Sequence, residues 1–374
     1  MLGFVKPFAS GLTTTLTAVI DASVASVAIE PATTGLLPVT MSALEWFLTD
    51  VYGAAMNWLS DFFGVRMLSY PYMQRAYLAA ICIGIIGPLV GTFLVHREMS
   101  MIGDTLAHTA FAGVAVGLFV NATLSTLLPP LLTALLVAVV AALLVEVLVE
   151  YTDAYTDTSL AIILTGGFAL GSVLITATGG NIAVGIEAYL FGTLATVSTA
   201  SVGLLLTMTV LVTGLVALAY RPLLYVTFDE TAARAARINV PLFNRLLVVL
   251  TAFVVVSAMQ IMGVILVAAM LVVPVAAATG ARSFKRSLGF GVLAAELAVV
   301  AGVTFSYVYG LAAGGSVVLA AIAVYVVALV GRRVKSRFGR GIPAKRHRLW
   351  ARLYAQVFPS SVKRPEPDGG QEDE

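Results

Sequence analysis

Apolar runs of about twenty residues, separated by short polar or basic turns, fill most of the chain between Arg75 and Gly331. A helix of that length crosses the roughly 30 Å hydrocarbon core of a bilayer, whereas a buried strand needs only about four to eight residues. Runs such as Leu131–Val149 and Ser201–Ala219 are too long to be strands. The pattern predicts spans near 76–95, 105–127, 131–149, 159–178 and 199–220, short segments at 246–262 and 264–280, and further spans at 288–308 and 313–331. The expected fold is an all-α, polytopic helical bundle with about eight or nine core membrane segments, counting a short hairpin hinged at Gly263.

Residues 1–70 read differently. Gly11–Ile29 is apolar and Thr-rich but is interrupted by Asp21. It lacks the basic start and small-residue cleavage site of a removed signal peptide. Leu44–Phe63 mixes Trp46, Trp58 and other aromatics with Glu45, Asp50 and Asp61, the composition of an amphipathic helix lying in the membrane interface. Three domains are expected: an N-terminal extension over 1–70, a membrane domain over 71–331, and a tail over 332–374. The tail is basic and then acidic, with too few apolar residues to form a core, so disorder is expected there.

Composition agrees with the pattern: 59% of residues are hydrophobic and 11% charged. The distribution of charge sets the topology. Nine of the 22 Lys and Arg lie between Arg332 and Arg352, which places the tail in the cytoplasm. The loops holding Arg221, Arg234, Arg237 and Arg245, and Arg282, Lys285 and Arg286, are basic and expected on the same side. The apolar stretch between them must then cross twice or re-enter. Counting back puts His96 and Arg97 inside and Arg75 outside, so an extra span within 1–70 is the preferred reading over an external N-terminus. The Gly-rich stretch after residue 179 is too short to span and fits a half-helix near a cavity mouth on the outside. The single Cys82 excludes an intrachain disulfide framework or a cysteine zinc site.

Candidate chemistry centres on Asp104 and His108. Four residues apart on a helix, a carboxylate and an imidazole share one face. Thr109, Gly113 and Gly117 form a small-xxx-small ladder that admits a second backbone. Ionisable groups inside a membrane are expensive and point to an ion path. The competing reading, at about even odds from spacing alone, makes Asp104 an N-cap and His108 an ordinary interior histidine. Over 224–241, Thr227 or Asp229 is expected to cap a short helix, with Pro241 closing the segment, and the plain reading is a cytoplasmic connector. Over 263–287, Pro274 is expected to kink a helix that exits into a small basic helix which a partner could push, or which merely anchors the chain. Glu296 is expected to pair with a polar group on a neighbouring helix or reach for the membrane surface, and Asp157 to cap its helix. No phosphate-binding Gly-rich loop and no Ser or Cys nucleophile arrangement occurs, so the chain neither cradles ATP that way nor reads as an enzyme.

Six segments together resemble the membrane subunit of zinc and manganese ATP-binding-cassette importers, the zinc-type permeases most of all. They are HREMSMIGDTLAHTAFAGVAVGL (96–118), TDTSLAIILTGGFALG (156–171), EAYLFGTLATVS (187–198), FDETAARAARINV (228–240), GVILVAAMLVVPVAAATGAR (263–282) and GGSVVLAAIAVYVVAL (314–329). The first and fifth are the most specific, and the match runs over roughly 72–331. The resemblance implies a homodimeric permease of the plasma membrane with no permanent cofactor and no nucleic-acid partner. Two separate cytoplasmic ATPase subunits would use the ATP, and an external binding protein would deliver the divalent metal, zinc ahead of manganese. It also implies that Asp104 and His108 line the ion path and that Pro274, Arg282, Lys285 and Arg286 lie in the segment that docks on the ATPase. Some zinc-type members carry a histidine where this chain has ILTGGFA (163–169), which weakens the case for zinc. The rival readings are a permease for a metal chelate such as a siderophore or cobalamin, and an ATP-independent secondary carrier. The carrier usually shows paired broken helices in inverted repeats, a pattern not found here.

Overall fold

The computed structural model describes residues 46–124, 130–151, 156–177, 189–192 and 197–339. The apolar stretch Gly11–Ile29, the candidate for the extra span expected within 1–70, and most of the tail lie outside them. The chain parts into two units, Met1–Tyr325 and Val326–Glu374. The first carries the bundle; the second begins inside the last helix and is helical as far as Gly339.

Every described element is helical. A π-helical turn, Phe47–Gly53, runs into α1 (Ala54–Phe63), and a 3-10 turn, Arg66–Ser69, leads to α2 (Pro71–His96). Then come α3 (Ile102–Leu124), α4 (Pro130–Tyr151), α5 (Thr156–Ala177), α6 (Thr199–Phe228), the short α7 (Glu230–Ala235), α8 (Val240–Met262), α9 (Val264–Ala278), α10 (Phe284–Tyr309) and α11 (Ala313–Gly339). Among the described residues seven helices are long and apolar enough to cross a membrane, and α4 and α9 add the shorter apolar stretches Leu132–Val145 and Leu266–Ala278.

Local chemistry sets most boundaries. Pro71 sits in the first turn of α2, where its missing N–H costs nothing. Asp229 caps α7 by accepting from the Ala232 N–H at 2.8 Å, Asn239 caps α8 through Leu242, and Ser283 caps α10 through Arg286. Gly263 separates α8 from α9 at φ +82°, a backbone conformation that disfavours any side chain.

Four expectations are corrected. The segment before Gly263 is a full 23-residue helix rather than a short one, because Asn239 and Pro241 start it upstream of its apolar run; only α9, with 15 residues, is short. Pro241 therefore opens a helix instead of closing a segment. Asp104 and Asp157 lie inside the first turns of α3 and α5, since each helix begins ahead of the acid, at Ile102 and Thr156. Glu296 neither finds a polar partner for its buried Oε1 nor reaches for the surface, but turns its carboxyl onto Gly84 of α2: a Cβ added at Gly84 would lie 2.8 Å from Glu296 Oε1.

Helix α2 is the axis of the bundle. Ile83, Ile86, Val90, Phe93 and Leu94 are fully buried on it, and α6, α8, α9 and α10 pack around it. Helix α3 packs in turn on α4, α5, α8 and α9. The outward faces are also apolar, with Leu218 of α6, Leu293 and Leu297 of α10 and Val173 of α5 exposed. A soluble protein does not display such faces on every side; hydrocarbon is their natural solvent.

Candidate functional site

Asp104 and His108 sit on the first two turns of α3, with Asp104 Oδ1 3.5 Å from His108 Nε2. The carboxylate side chain is 41% exposed and the imidazole 20%. A polar pair so open, on a helix whose other faces are buried, looks onto unfilled space or a partner surface. The imidazole is held edge-on against Phe168 of α5, ring centroids 5.4 Å apart. Its Nδ1 is buried and has no hydrogen-bond partner. Nε2 is thus the nitrogen turned to the carboxylate and able to bind an ion beside it. Among the described residues no group of three or more His, Cys, Asp or Glu side chains converges as a metal shell. The described residues of one chain offer two donors here, whereas a divalent metal takes four or more.

The pair owes its placement to the contact between α3 and α5. The ladder seen in the sequence serves two neighbours: Thr109 faces Gly167 of α5, and Gly113 faces Ala134 of α4. A Cβ on Gly167 would come within 2.7 Å of Thr109 Cγ2 and 3.1 Å of its Cα, and one on Gly171 would press on the Phe111 ring at 2.9 Å. The Thr105 hydroxyl donates to the Leu160 carbonyl at 3.3 Å, a direct polar tie between the helices. Gly166, the adjacent residue, meets nothing within 4 Å. Gly167→Ala is therefore expected to lower the detergent melting temperature through overpacking of about 1–3 kcal/mol. Gly166→Ala should leave it unchanged or raise it, since Ala is the better helix former. Equal melting of the two would refute the close approach.

Pro274 lies within α9, Arg282 in the turn after it, and Lys285 and Arg286 in the first turn of α10, both exposed. The Lys285 ammonium stands 5.9 Å from the Tyr220 ring centroid. Beneath this turn Phe284 gathers Phe93, His96 and Phe228 at 5.0, 5.2 and 5.7 Å between centroids, joining α2, α6 and α10 in one aromatic cluster. Helix α9 also reaches the residue that precedes the Asp104–His108 pair. Leu271, less than one turn before Pro274, sits between two glycines: its backbone fills the space over Gly91 of α2, and its Cδ1 lies 2.8 Å from where a Gly103 Cβ would be. Gly103 immediately precedes Asp104.

Sequence reasoning missed Arg97, which served there only to mark the sidedness of a turn. Its guanidinium reaches across the end of the bundle, donating from Nε to Thr227 Oγ1 at 3.0 Å and from Nη1 to Asn244 Oδ1 at 2.6 Å. It thereby clasps the α2–α3 turn to the end of α6 and the start of α8, on either side of α7. Burial pushes its pKa down to about 10, partly offset by the charge of Glu230. The signal was a lone Arg flanking a span, with Thr and Asn beside other basic turns, and distance along the chain hid it. Residues 178–188 and 193–196, part of the expected half-helix, lie outside the described residues; the helical turn at Tyr189–Phe191 packs its backbone against Gly263.

The ABC 3 transport family matches residues 69–332, which is most of the chain and takes in α2 to α10 whole. The chain belongs to that family. The manganese transport system membrane protein MntC of Halalkalibacterium halodurans is 35% identical over 292 residues, covering 76% of this chain and 96% of that protein. Among solved structures, PsaBC from Streptococcus pneumoniae in complex with Fab contains a chain 28% identical to this one, with a TM-score of 0.64 over 72% of this chain and 95% of its own. An ABC transporter solved in an inward-facing conformation shares the fold at a TM-score of 0.57 and 15% identity, over 79% of this chain and 99% of that one. The protein is accordingly the multi-pass membrane permease of an ATP-binding-cassette metal import system, a subunit that transports and does not catalyse.

Proposed function

We propose that the permease carries manganese(II) into the cytoplasm as a homodimer, with zinc as its nearest competitor. The observation that carries this reading is the half-exposed Asp104–His108 pair, which supplies two donors where a metal needs at least four. A second copy facing the first would double the set to two carboxylates and two imidazoles. That mixed oxygen and nitrogen shell suits manganese and zinc alike. The names of the relatives tip the balance from zinc, which the sequence reading put first, to manganese. A site without thiolates, shared between subunits, also lets the ion leave, as transport requires.

Two cytoplasmic ATPase subunits and an external metal-binding protein complete the importer. The ATPases dock at the basic turn around Arg282, Lys285 and Arg286. Cations in the first turn of α10 oppose the positive end of the helix dipole, so their placement helps an acidic partner more than it helps the helix. Closure of the ATPases shifts this turn and, through Pro274 and Leu271, the backbone of α3 at Gly103. Asp104 then changes its distance to its counterpart, and the site opens to one side or the other in two discrete packings. The basic turns and the tail face the cytoplasm in this arrangement.

The test is uptake into liposomes holding the permease, its ATPase and its binding protein, followed with manganese and zinc in competition. ATP-dependent manganese uptake is expected, with zinc inhibiting. Uptake without the ATPase would favour a secondary carrier, and uptake of neither free metal would favour a chelate; each overturns the proposal.

A further inference from the structure

The helix ahead of the family match has three distinct faces, each marked by a pair of residues four apart. Met56 and Ser60 face the bundle, Ser60 buried and Met56 packed on the core. Asn57 and Asp61 form the polar face, and Trp58 and Phe62 the aromatic one. At about 100° per residue, the aromatic face lies nearly opposite the bundle and the polar face between the two. Trp58 and Phe62 are 64% and 69% exposed, with their rings stacked at 5.5 Å, and Phe63 joins them edge-on at 5.1 Å with 65% exposed.

This face is held rigidly. Gln74 of α2 donates to Asn57 Oδ1 at 3.0 Å and to the Leu68 carbonyl at 2.9 Å, and Ser60 Oγ donates to the Val65 carbonyl at 3.0 Å. Leu48 and Gly53 are buried in the turn that precedes α1. The same end of the bundle carries more exposed aromatic surface. Tyr70 and Tyr72 stack at 5.8 Å beside the start of α2, Tyr307 at the end of α10 interacts with both, and Tyr309, tilted against Phe305, is exposed on the same turn. Trp and Tyr rings concentrate where a bilayer meets water, because one end of each is apolar and the other polar. Between Trp46 and Val65 there is no Lys or Arg, only Asp50 and Asp61. Attraction to anionic headgroups therefore plays no part, and neither does an acidic protein partner.

We propose that α1 is a membrane-surface collar: Trp58 and Phe62 insert among lipid acyl chains just below the headgroups, on the face of the bilayer opposite the basic turns, while Asp50 and Asp61 stay in water. The occupant of the aromatic face is lipid, bound through its apolar chains irrespective of headgroup charge. The collar fixes the depth of α2, the axis of the bundle, through Gln74. The inference rests on the bundle spanning a bilayer and is independent of which metal is carried.

Trp46, Trp58 and Trp350 are the chain's three tryptophans. A Trp46→Phe, Trp350→Phe protein leaves Trp58 as the sole reporter, and its melting temperature against the unaltered chain checks that it folds. The full chain is placed in phosphatidylcholine vesicles brominated either near the glycerol end or near the methyl end of the acyl chain. Bromine near the glycerol end is expected to remove most of the Trp58 emission, bromine near the methyl end much less, and aqueous acrylamide little. Quenching by acrylamide and not by bromine would put the face in water. Quenching by neither would mean that a second copy or a partner protein covers it, and strongest quenching from the methyl end would make the segment a span. Each of these three results overturns the collar.

Discussion

Asp104→Ala and His108→Ala are each expected to abolish ATP-dependent metal uptake while leaving insertion, dimer formation and the melting temperature near those of the unaltered permease. Both side chains are partly exposed, and the hydrogen-bond network that holds α3, such as Thr105 to Leu160, does not include them. Either change would remove two of the four donors of the proposed dimer site. Loss of a mere supporting residue around a metal typically weakens binding by about 10–100-fold, so loss of two direct donors should exceed that. Asp104→Glu should be intermediate: it keeps the charge but moves the oxygens relative to His108 Nε2, which already stands 3.5 Å from the native carboxylate. The measurement pairs uptake in liposomes with direct metal titration of the detergent-solubilised dimer. A variant that assembles with its ATPase and transports at the normal rate would refute the ligand roles, and loss of uptake with unchanged metal binding would make the pair a gate rather than a binding site.

The fold was legible because bilayer thickness acts on each span separately. A run of apolar residues long enough to cross reports itself without knowledge of its neighbours, so α2, α3, α4, α5 and α10 appear in the sequence at nearly their observed bounds, while α6 and α11 run on to Phe228 and Gly339, past the expected ends at 220 and 331. Helix ends were harder, since a capping residue such as Asn239 or a proline such as Pro241 extends a helix beyond its apolar run. At the site, the Asp104–His108 pair was visible because it is local, four residues on one helix. Phe168, which fixes the ring, and Leu271, which touches the position before Asp104, arrive from other helices. Arg97 shows the same limit: its partners Thr227 and Asn244 are 130 and 147 residues away, and nothing periodic announces them. Three-dimensional partners of that kind follow from which small residues let which backbones meet, and a glycine alone does not say what fills its space.

Gly91→Ala is expected to be among the most damaging single substitutions in the bundle, while Gly87→Ala, one turn earlier on the same helix, is expected to be harmless. Both glycines face α9. At Gly87 an added methyl would stand 3.4 Å from the Met270 carbonyl oxygen, an ordinary contact. At Gly91 it would collide with the Leu271 carbonyl oxygen, and the Leu271 carbonyl carbon and Cα would lie only 2.9 and 3.2 Å away. The obstacle is backbone and cannot rotate aside, so α2 and α9 must separate. Overpacking typically costs about 1–3 kcal/mol and occasionally more, and a collision with backbone at the axis of the bundle belongs at the upper end or beyond. Gly87→Ala gains helix propensity of up to about 1 kcal/mol with no clash to offset it, so its expected sign is opposite. Melting of the detergent-solubilised permease checks both, and equal melting temperatures would remove the close α2–α9 contact from the structure. Any Gly91→Ala protein that survives carries a second expectation. Leu271 also packs on Gly103 beside Asp104, so pushing α9 away should loosen that contact and lower metal uptake per ATP hydrolysed as well as stability. A survivor with reduced melting but undiminished uptake per ATP would separate the two roles and show that Leu271 packs without transmitting.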